Sequence, residues 1–195
     1  MKKAERTTRY IIEKVAPIFN QKGVYGTSLI DLTEATGLTK GSIYGNFQNK
    51  DDLAGACFQH NLKFLQRGLY HAITLNGSSK DKLLDLIDFY RSHYEEVAAN
   101  GGCPLMNAAI EADDGYPLLK TQVAEVFERW RREVINIIAT GQDKGELNRS
   151  FEAEKFANSF IAMIEGGILL AKTLDETSHF FSIMETLEET VHNLN

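Results

Sequence analysis

Apolar residues recur three and four positions apart along almost the whole chain, which is the spacing of an amphipathic helix. No stretch of the sequence shows the strict alternation and the tight turn that indicate a β-hairpin. Clusters of glycine, proline, asparagine and serine interrupt the pattern at residues 76–79, 100–104 and 114–117. The pattern predicts an all-α fold of about nine helices without a sheet.

The first predicted helix runs from about residue 3 to residue 22, with Ile11, Val15 and Phe19 on one face. Gly23 follows it and is the kind of residue that ends a helix. Pro17 lies inside the helix, where a proline removes one backbone hydrogen bond. We therefore expect either a kink at Pro17 or different helix boundaries.

Two short helices are predicted next, over residues 29–36 and over residues 40–46. Ser28 and Thr39 precede them as typical N-cap residues, and Gly37 ends the first. The apolar side chains expected to hold these helices together are Leu32, Leu38, Ile43 and Phe47. This is a helix-turn-helix pattern, and it predicts an N-terminal three-helix domain over residues 1–49.

A larger helical domain is predicted over residues 50–195, beginning with a helix that Asn49 caps. Its helix over about residues 152–174 is apolar nearly all round between residues 160 and 170, apart from Glu165. The final helix, over residues 176–194, repeats apolar residues at alternating spacings of four and three. These two helices either form the interface of a homodimer, which is our expectation, or complete the core of one chain.

Charge is distributed unevenly along the chain. The net charge is −6, but residues 1–50 contain eight basic and four acidic residues, a local charge of +4 that leaves −10 for the rest. A basic head before an acidic body is compatible with a nucleic-acid partner. On charge alone, a chance excess of this size is the alternative.

Several classes of protein are disfavoured by composition. No uncharged apolar run is long enough to span a bilayer and the N-terminus is polar, so we expect a cytoplasmic protein without a membrane partner. Cys57 and Cys103 are far apart, which predicts reduced thiols and no metal site. The five histidines are scattered and no catalytic motif occurs, so neither an enzyme nor a cofactor is expected.

Residues 27–53, with the sequence TSLIDLTEATGLTKGSIYGNFQNKDDL, resemble the DNA-binding region of the tetracycline-repressor (TetR) family of bacterial regulators. The resemblance implies that a recognition helix enters the major groove of double-stranded operator DNA. The implied DNA-contacting residues are Thr27, Ser28, Thr39, Lys40, Gly41, Ser42, Tyr44, Asn46 and Lys50. Gly45 and Asn46 stand where the family commonly has an aromatic residue and a histidine, so no operator sequence is carried over.

The resemblance also implies that the larger domain binds a small-molecule inducer that releases a repressor from DNA. The candidate lining residues are Phe64, Phe89, His93, Met106, Ile110, Trp130, Phe160, Met163 and Glu165, each of which could instead be ordinary core. Glu165 is expected either to meet the ligand or to face solvent.

Cys103 precedes a proline near a predicted helix N-terminus, which can favour a reactive thiolate. Oxidant or electrophile sensing is therefore an alternative to an inert buried thiol at this position. Two other functions stay open: activation instead of repression, and a helical ligand-binding module without a DNA role.

Overall fold

The computed structural model describes residues 3–74 and 76–194, and the backbone of this part is helical with no β-strand. Its helices are α1 (Lys3–Gly26), α2 (Leu29–Thr36), α3 (Lys40–Tyr44), α4 (Lys50–Thr74), α5 (Ser79–Ser92), α6 (Tyr94–Ala99), α7 (Pro104–Gly115), α8 (Pro117–Asp143), α9 (Ala153–Thr173) and α10 (Ser178–His192). The all-α prediction is confirmed. The interruptions at residues 76–79 and 100–104 predict one helix between them, but the chain is divided there at His93 into α5 and α6, which gives ten helices in the described residues where about nine were expected.

The described residues form two compact units. Unit 1 contains those of residues 1–63 and 100–125, and unit 2 contains those of residues 64–99 and 126–195. Unit 1 is therefore built from two separate segments of the chain, with α7 packed against α1. The functional boundary at residue 49 stays a prediction, because compactness does not define where a DNA-binding region ends.

The short helices of unit 1 begin where their capping residues predict, and α2 also ends where Gly37 predicts. The Ser28 hydroxyl accepts a hydrogen bond from the Asp31 backbone N–H, and the Asp31 carboxylate accepts one from the Ser28 N–H in return. Gly37 has a φ of 66° and ends α2, while the Thr39 hydroxyl caps α3 by accepting from the Ser42 N–H. The third helix ends at Tyr44 instead of Asn46, because Gly45 is a poor helix former.

The interruption of α1 lies at Gly23 and not at Pro17. Gly23, with φ 75° and ψ 164°, is the non-helical residue inside α1, whereas Pro17 lies within its helical run. Pro17 is exposed, so the backbone carbonyl that loses its bond to the missing N–H can be satisfied by water. Of the two alternatives, the structure does not bear out a kink at Pro17, and Gly23 carries the change of direction.

The core of unit 1 packs α1, α2, α3 and α4 around the apolar side chains that the helical spacing predicts. Leu32 and Ile43 are fully buried, Phe47 is nearly so, and Leu38 packs against them from a half-buried position. Ile43 is the buried anchor of α3. These apolar contacts thus fix α3 on the first two helices.

Unit 2 is a helical bundle in which α10 packs against α9 and α5. Phe180 is fully buried and stacks on Tyr94 with ring centroids 4.4 Å apart. Gly167 brings α9 close to α10, since a Cβ atom there would lie 3.3 Å from the Phe180 ring. Arg91 of α5 also donates to Glu188 of α10 at 2.7 Å. No helix in the described ranges is long and apolar enough to cross a membrane.

Candidate DNA-binding surface

The N-terminal half of α3 is an exposed polar surface. Thr39, Lys40, Gly41 and Ser42 are all exposed, while Ile43 directly after them is fully buried. The Thr39 hydroxyl also lies 3.2 Å from the Ser42 hydroxyl, so two potential hydrogen-bonding groups point to the same side. This arrangement presents small and polar side chains outward while one apolar side chain anchors the helix.

Gly41 is not required by the packing of the protein itself. A Cβ atom built at this position would meet only the Thr39 hydroxyl oxygen, at 4.0 Å. The small side of α3 therefore faces open space. A recognition helix that enters a groove closely needs such a surface.

Asn46 is engaged inside unit 1. Its Nδ2 donates to the Ser42 carbonyl at 2.8 Å, and its Oδ1 accepts a hydrogen bond from the Thr8 hydroxyl at 3.1 Å. These bonds tie the end of α3 to α1. The amide thus holds the recognition helix in place, and Tyr44 beside it is half-buried.

Thr27, which is buried, and Lys50, which is half-buried, contact each other. Thr27 is 1% exposed and its hydroxyl donates to the Gly23 carbonyl at 2.6 Å. The Lys50 ammonium donates to the Thr27 carbonyl at 2.6 Å. Both residues therefore secure the segment between α1 and α2, which also contains the exposed cap residue Ser28.

Asp31 adds an ionic contact to the same segment. Its carboxylate binds the Lys22 ammonium at 2.5 Å and the Ser28 hydroxyl at 2.6 Å. The hydrogen bond from Lys22 is the largest of the effects that hold the pKa of Asp31 well below its usual range, followed by the bonds from Ser28. The charged form of Asp31 therefore stabilises the N-terminal cap of α2 at neutral pH.

Glu111 makes a contact in unit 1 that its neighbours in the sequence do not predict. This side chain, on α7, accepts hydrogen bonds from the backbone N–H groups of Val24 (2.7 Å) and Tyr25 (2.6 Å). Val24 and Tyr25 lie 87 and 86 residues before Glu111 in the sequence. No local periodicity reports a contact over such a distance.

Four of the candidate residues for lining the small-molecule (effector) site lie together in one aromatic cluster of unit 2. The Phe89 ring lies 5.0 Å from Phe64 and 4.5 Å from His93, and Tyr90 stacks on Trp130 at 5.7 Å. The Phe89 and Tyr90 rings make an edge contact, with centroids 5.6 Å apart, and this contact joins the Phe89 group to the Tyr90–Trp130 pair. We call these five side chains the aromatic cluster. Phe64, Phe89 and His93 are half-buried, so part of the cluster is accessible.

His93 supplies the cluster with a defined polar group. Its Nδ1 lies 2.8 Å from the Phe89 carbonyl oxygen, which can only accept a hydrogen bond, so Nδ1 carries the proton. In the neutral ring, Nε2 is then an acceptor. The same Phe89 carbonyl also accepts a hydrogen bond from the backbone N–H of His93, which is the C-cap of α5.

The remaining predicted effector residues do not all belong with that cluster. Phe160 is fully buried, Met163 is half-buried and Glu165 is 7% exposed in α9, so exposure to solvent, one of the two alternatives for Glu165, is wrong. Met106 and Ile110 belong to unit 1 instead of unit 2. Ile110 is 69% exposed, because it lies on the outer face of α7.

Neither cysteine is exposed. Burial raises the pKa of the Cys57 thiol, and Cys103 is fully buried at the N-cap of α7, where its side chain makes no capping hydrogen bond. Within the described residues, no group of three or more His, Cys, Asp and Glu side chains is arranged to hold a metal ion.

Comparison with known proteins identifies two regions of the chain that match family models. Residues 11–57 match the family model described as bacterial regulatory proteins of the tetR family, and residues 79–187 match the tetracyclin repressor-like C-terminal domain. A curated relative, the HTH-type transcriptional repressor DhaR of Mycobacterium sp. (strain GP1), is 27% identical over 84% of this chain and 81% of its own.

Two solved structures are similar over nearly the full length. A TetR-family transcriptional regulator from Cytophaga hutchinsonii is 38% identical, with a TM-score of 0.89 over 100% of this chain and 98% of its own. A TetR transcriptional regulator from Chloroflexus aurantiacus is 30% identical, with a TM-score of 0.92 over 99% and 98% of the two chains.

Proposed function

This chain belongs to the TetR family of bacterial transcriptional regulators, and we propose that it is a homodimeric repressor that a small molecule releases from operator DNA. The exposed N-terminal half of α3, held by the buried Ile43, is the observation that carries the DNA-binding part of this proposal. Two copies of α3 would enter successive major grooves of a near-palindromic site.

Among the predicted contact residues, the structure favours different roles for different members. Thr39, Lys40, Gly41 and Ser42 form the surface that would face bases and phosphates, with Tyr44 at its edge. Thr27, Asn46 and Lys50 make internal hydrogen bonds, which favours a supporting role. Ser28 is exposed at the N-terminus of α2, where backbone N–H groups favour a phosphate.

Lys40→Ala is the variant that tests this surface. Because an exposed lysine on a recognition helix contributes both charge and contact, we expect operator affinity to fall about tenfold or more. The measurement is a salt titration of binding to duplex fragments from the region upstream of the gene itself. If Lys40 binds phosphate, the salt slope decreases by about 0.9 for each phosphate that is no longer neutralised. A dimer loses this contact in both copies, so its salt slope decreases by about two in total.

Lys63→Ala is the matched control, because it removes the same charge from an exposed position 13 residues further along α4 than Lys50, about 20 Å away along the helix. It should leave affinity within about twofold, as expected of a surface charge without a DNA contact. Equal losses of affinity in the two variants contradict the assignment of Lys40. If the unmodified protein binds no fragment at low salt, the alternative of a helical ligand-binding module is favoured.

Gly41→Ala separates DNA contact from folding. The added methyl group meets no protein atom closer than 4.0 Å, and alanine favours a helix over glycine by about 1 kcal/mol. We expect thermal stability to be equal or higher while DNA affinity falls, because the methyl group occupies the surface that approaches the groove. Parallel losses in stability and affinity would show that Gly41 serves the fold.

The dimer is supported by an apolar stripe on α9 that the bundle of unit 2 leaves exposed. Leu169, Leu170 and Leu174 are 45%, 46% and 56% exposed, and Ala162 and Gly166 continue the stripe at helical spacing. A Cβ atom at Gly166 meets nothing within 4 Å, so this face is open. The stripe suits a second copy of the same helix.

The effector site is proposed at the aromatic cluster. Its half-buried rings can stack against a planar apolar molecule, and His93 Nε2 can accept a hydrogen bond from it. Gly68 supports the cluster from α4, since a Cβ atom there would overlap the Phe89 ring.

Repression itself is tested by measuring transcription from a promoter that overlaps the bound duplex. The protein should reduce this transcription.

A further inference from the structure

The joint between α1 and α2 is held from a distant part of the chain. Gly23 interrupts α1, so the N–H groups of Val24 and Tyr25 lack partners in the preceding helical turn. The Glu111 carboxylate of α7 accepts both hydrogen bonds, as the cap of a helix would. A Cβ atom at Gly23 would lie 3.0 Å from Glu111 Oε1, so glycine leaves the space for this contact.

A second contact attaches the start of α7 to α1. Asn107 Nδ2 donates at 3.0 Å to the Asn20 and Gly101 carbonyls, and Asn20 Nδ2 donates to the Gly102 carbonyl at 3.1 Å. Gly101, with a φ of 97°, approaches the α1 backbone so closely that a Cβ atom would be 3.0 Å from Gln21 Cα. The turn before α7 is thus fitted to one side of α1 as tightly as Glu111 is fitted to its end.

The capped joint leads directly into the DNA-contacting helices. The Gly23 carbonyl accepts a hydrogen bond from the Thr27 hydroxyl, and the Thr27 carbonyl in turn accepts one from the Lys50 ammonium. Lys22, the residue before Gly23, binds Asp31 in the first turn of α2. The direction in which α2 leaves the joint therefore depends on the residues that Glu111 caps.

We propose that Glu111 is a positioning residue for DNA binding: from α7 it sets the orientation of α2 and α3, and it transmits a displacement of α7 to them. This inference rests on the proposed function for its DNA readout. It assigns a role in DNA binding to a residue within the region that matches the C-terminal domain of the family. The mechanical link is a carboxylate with two backbone N–H partners, and it can be weakened by one substitution.

The test uses full-length Glu111→Gln beside the unmodified protein, with hydrogen exchange and operator affinity as readouts. Replacing the charged acceptor weakens both bonds, so amides of Val24, Tyr25 and residues 31–44 should exchange about tenfold faster and affinity should fall about tenfold. Adding the operator duplex should slow exchange in residues 105–112 of the unmodified protein, because coupling is reciprocal, but not in the variant.

Asp113→Asn is the matched control, since it makes the same chemical change on the same helix. Asp113 binds Lys120 at the surface of unit 1 and makes no contact with the joint. This variant should match the unmodified protein in exchange of residues 31–44 and in affinity. Exchange in α9 of unit 2 reports global unfolding and should be the same in all three proteins.

Three results overturn the proposal. Unchanged exchange in residues 31–44 of Glu111→Gln would show that Glu111 does not position α2 and α3. Equal acceleration in α9 would make it a general stability residue. If DNA protects residues 31–44 of the unmodified protein but leaves residues 105–112 unaffected, the coupling fails while the DNA-binding function stands. If no duplex binds, the proposed function fails, and exchange in the free protein still decides whether Glu111 orders the joint.

Discussion

Leu170→Arg is expected to make the protein monomeric and to lower its operator affinity by on the order of a hundredfold or more. Leu170 is 46% exposed in the apolar stripe of α9, and a second copy of that helix would bury it. A charged residue in such an interface loses hydration without gaining a partner. The loss of affinity is large because a monomer engages one half-site, whereas the dimer engages two on one duplex.

Sedimentation and a duplex-binding titration measure these two effects. Leu118→Arg is the matched control, because Leu118 is 61% exposed on α8 in unit 1 and lies outside the stripe. A second variant, Gly166→Leu, adds bulk where the monomer has open space, so it should separate the copies while α9 stays folded. Dimers of undiminished affinity in both stripe variants would place the interface elsewhere.

Phe160→Ala is expected to lower the free energy of unfolding by about 3–5 kcal/mol. Phe160 is fully buried, and its ring centroid lies 5.7 Å from that of Phe156. Removing the ring forfeits its burial and leaves a cavity that the surrounding helices can only partly fill. Chemical denaturation monitored by circular dichroism measures the effect.

Phe64→Ala provides the comparison that separates core from effector site. Phe64 is half-buried, so truncation should cost less, about 1–2 kcal/mol, while it removes one of the rings available to a ligand. A loss below about 1 kcal/mol for Phe160→Ala would indicate loose packing around that ring. The sequence-based expectation that Phe160 lines the effector site would then regain support.

The capped ends of the helices could be predicted from the sequence because a cap depends on near neighbours. Ser28 and Thr39 cap the helices that follow them, and the Asn49 side chain accepts from the Asp52 N–H at 2.9 Å, as expected for an N-cap. Gly37 adopts the left-handed conformation that ends α2. Each of these interactions spans four residues or fewer, so the sequence pattern contains all of its participants.

The division of polar residues between the proposed DNA-binding surface and the interior could not be predicted in the same way. Thr27, Asn46 and Lys50 look like DNA-contacting residues in a linear motif, yet each makes a hydrogen bond inside unit 1. A hydroxyl, an amide or an ammonium group can serve a phosphate or a backbone carbonyl equally well. Only the location of the nearest acceptor in the folded chain decides which it serves.

The effector residues show the same limit. Phe89 and Ile110 were both candidate lining residues of the ligand site, but Phe89 joins the aromatic cluster whereas Ile110 is 69% exposed. Spacing describes one helix, and burial depends on which neighbour covers that helix. His93 was also a candidate lining residue, and it does belong to the aromatic cluster. Its side chain bonds the carbonyl of the residue four positions before it.

By itself, the sequence determined the all-helical fold, the capped helix-turn-helix and the family, because caps, periodicity and motif spacing are properties of adjacent turns. Tertiary structure alone decided that residues 100–125 belong to the compact unit that contains the recognition helix. It also decided that Glu111 caps the joint at Gly23, 86 and 87 residues from its partners. The physical reason is that a broken helix requires two hydrogen-bond acceptors, and any carboxylate that the fold brings within reach can provide them.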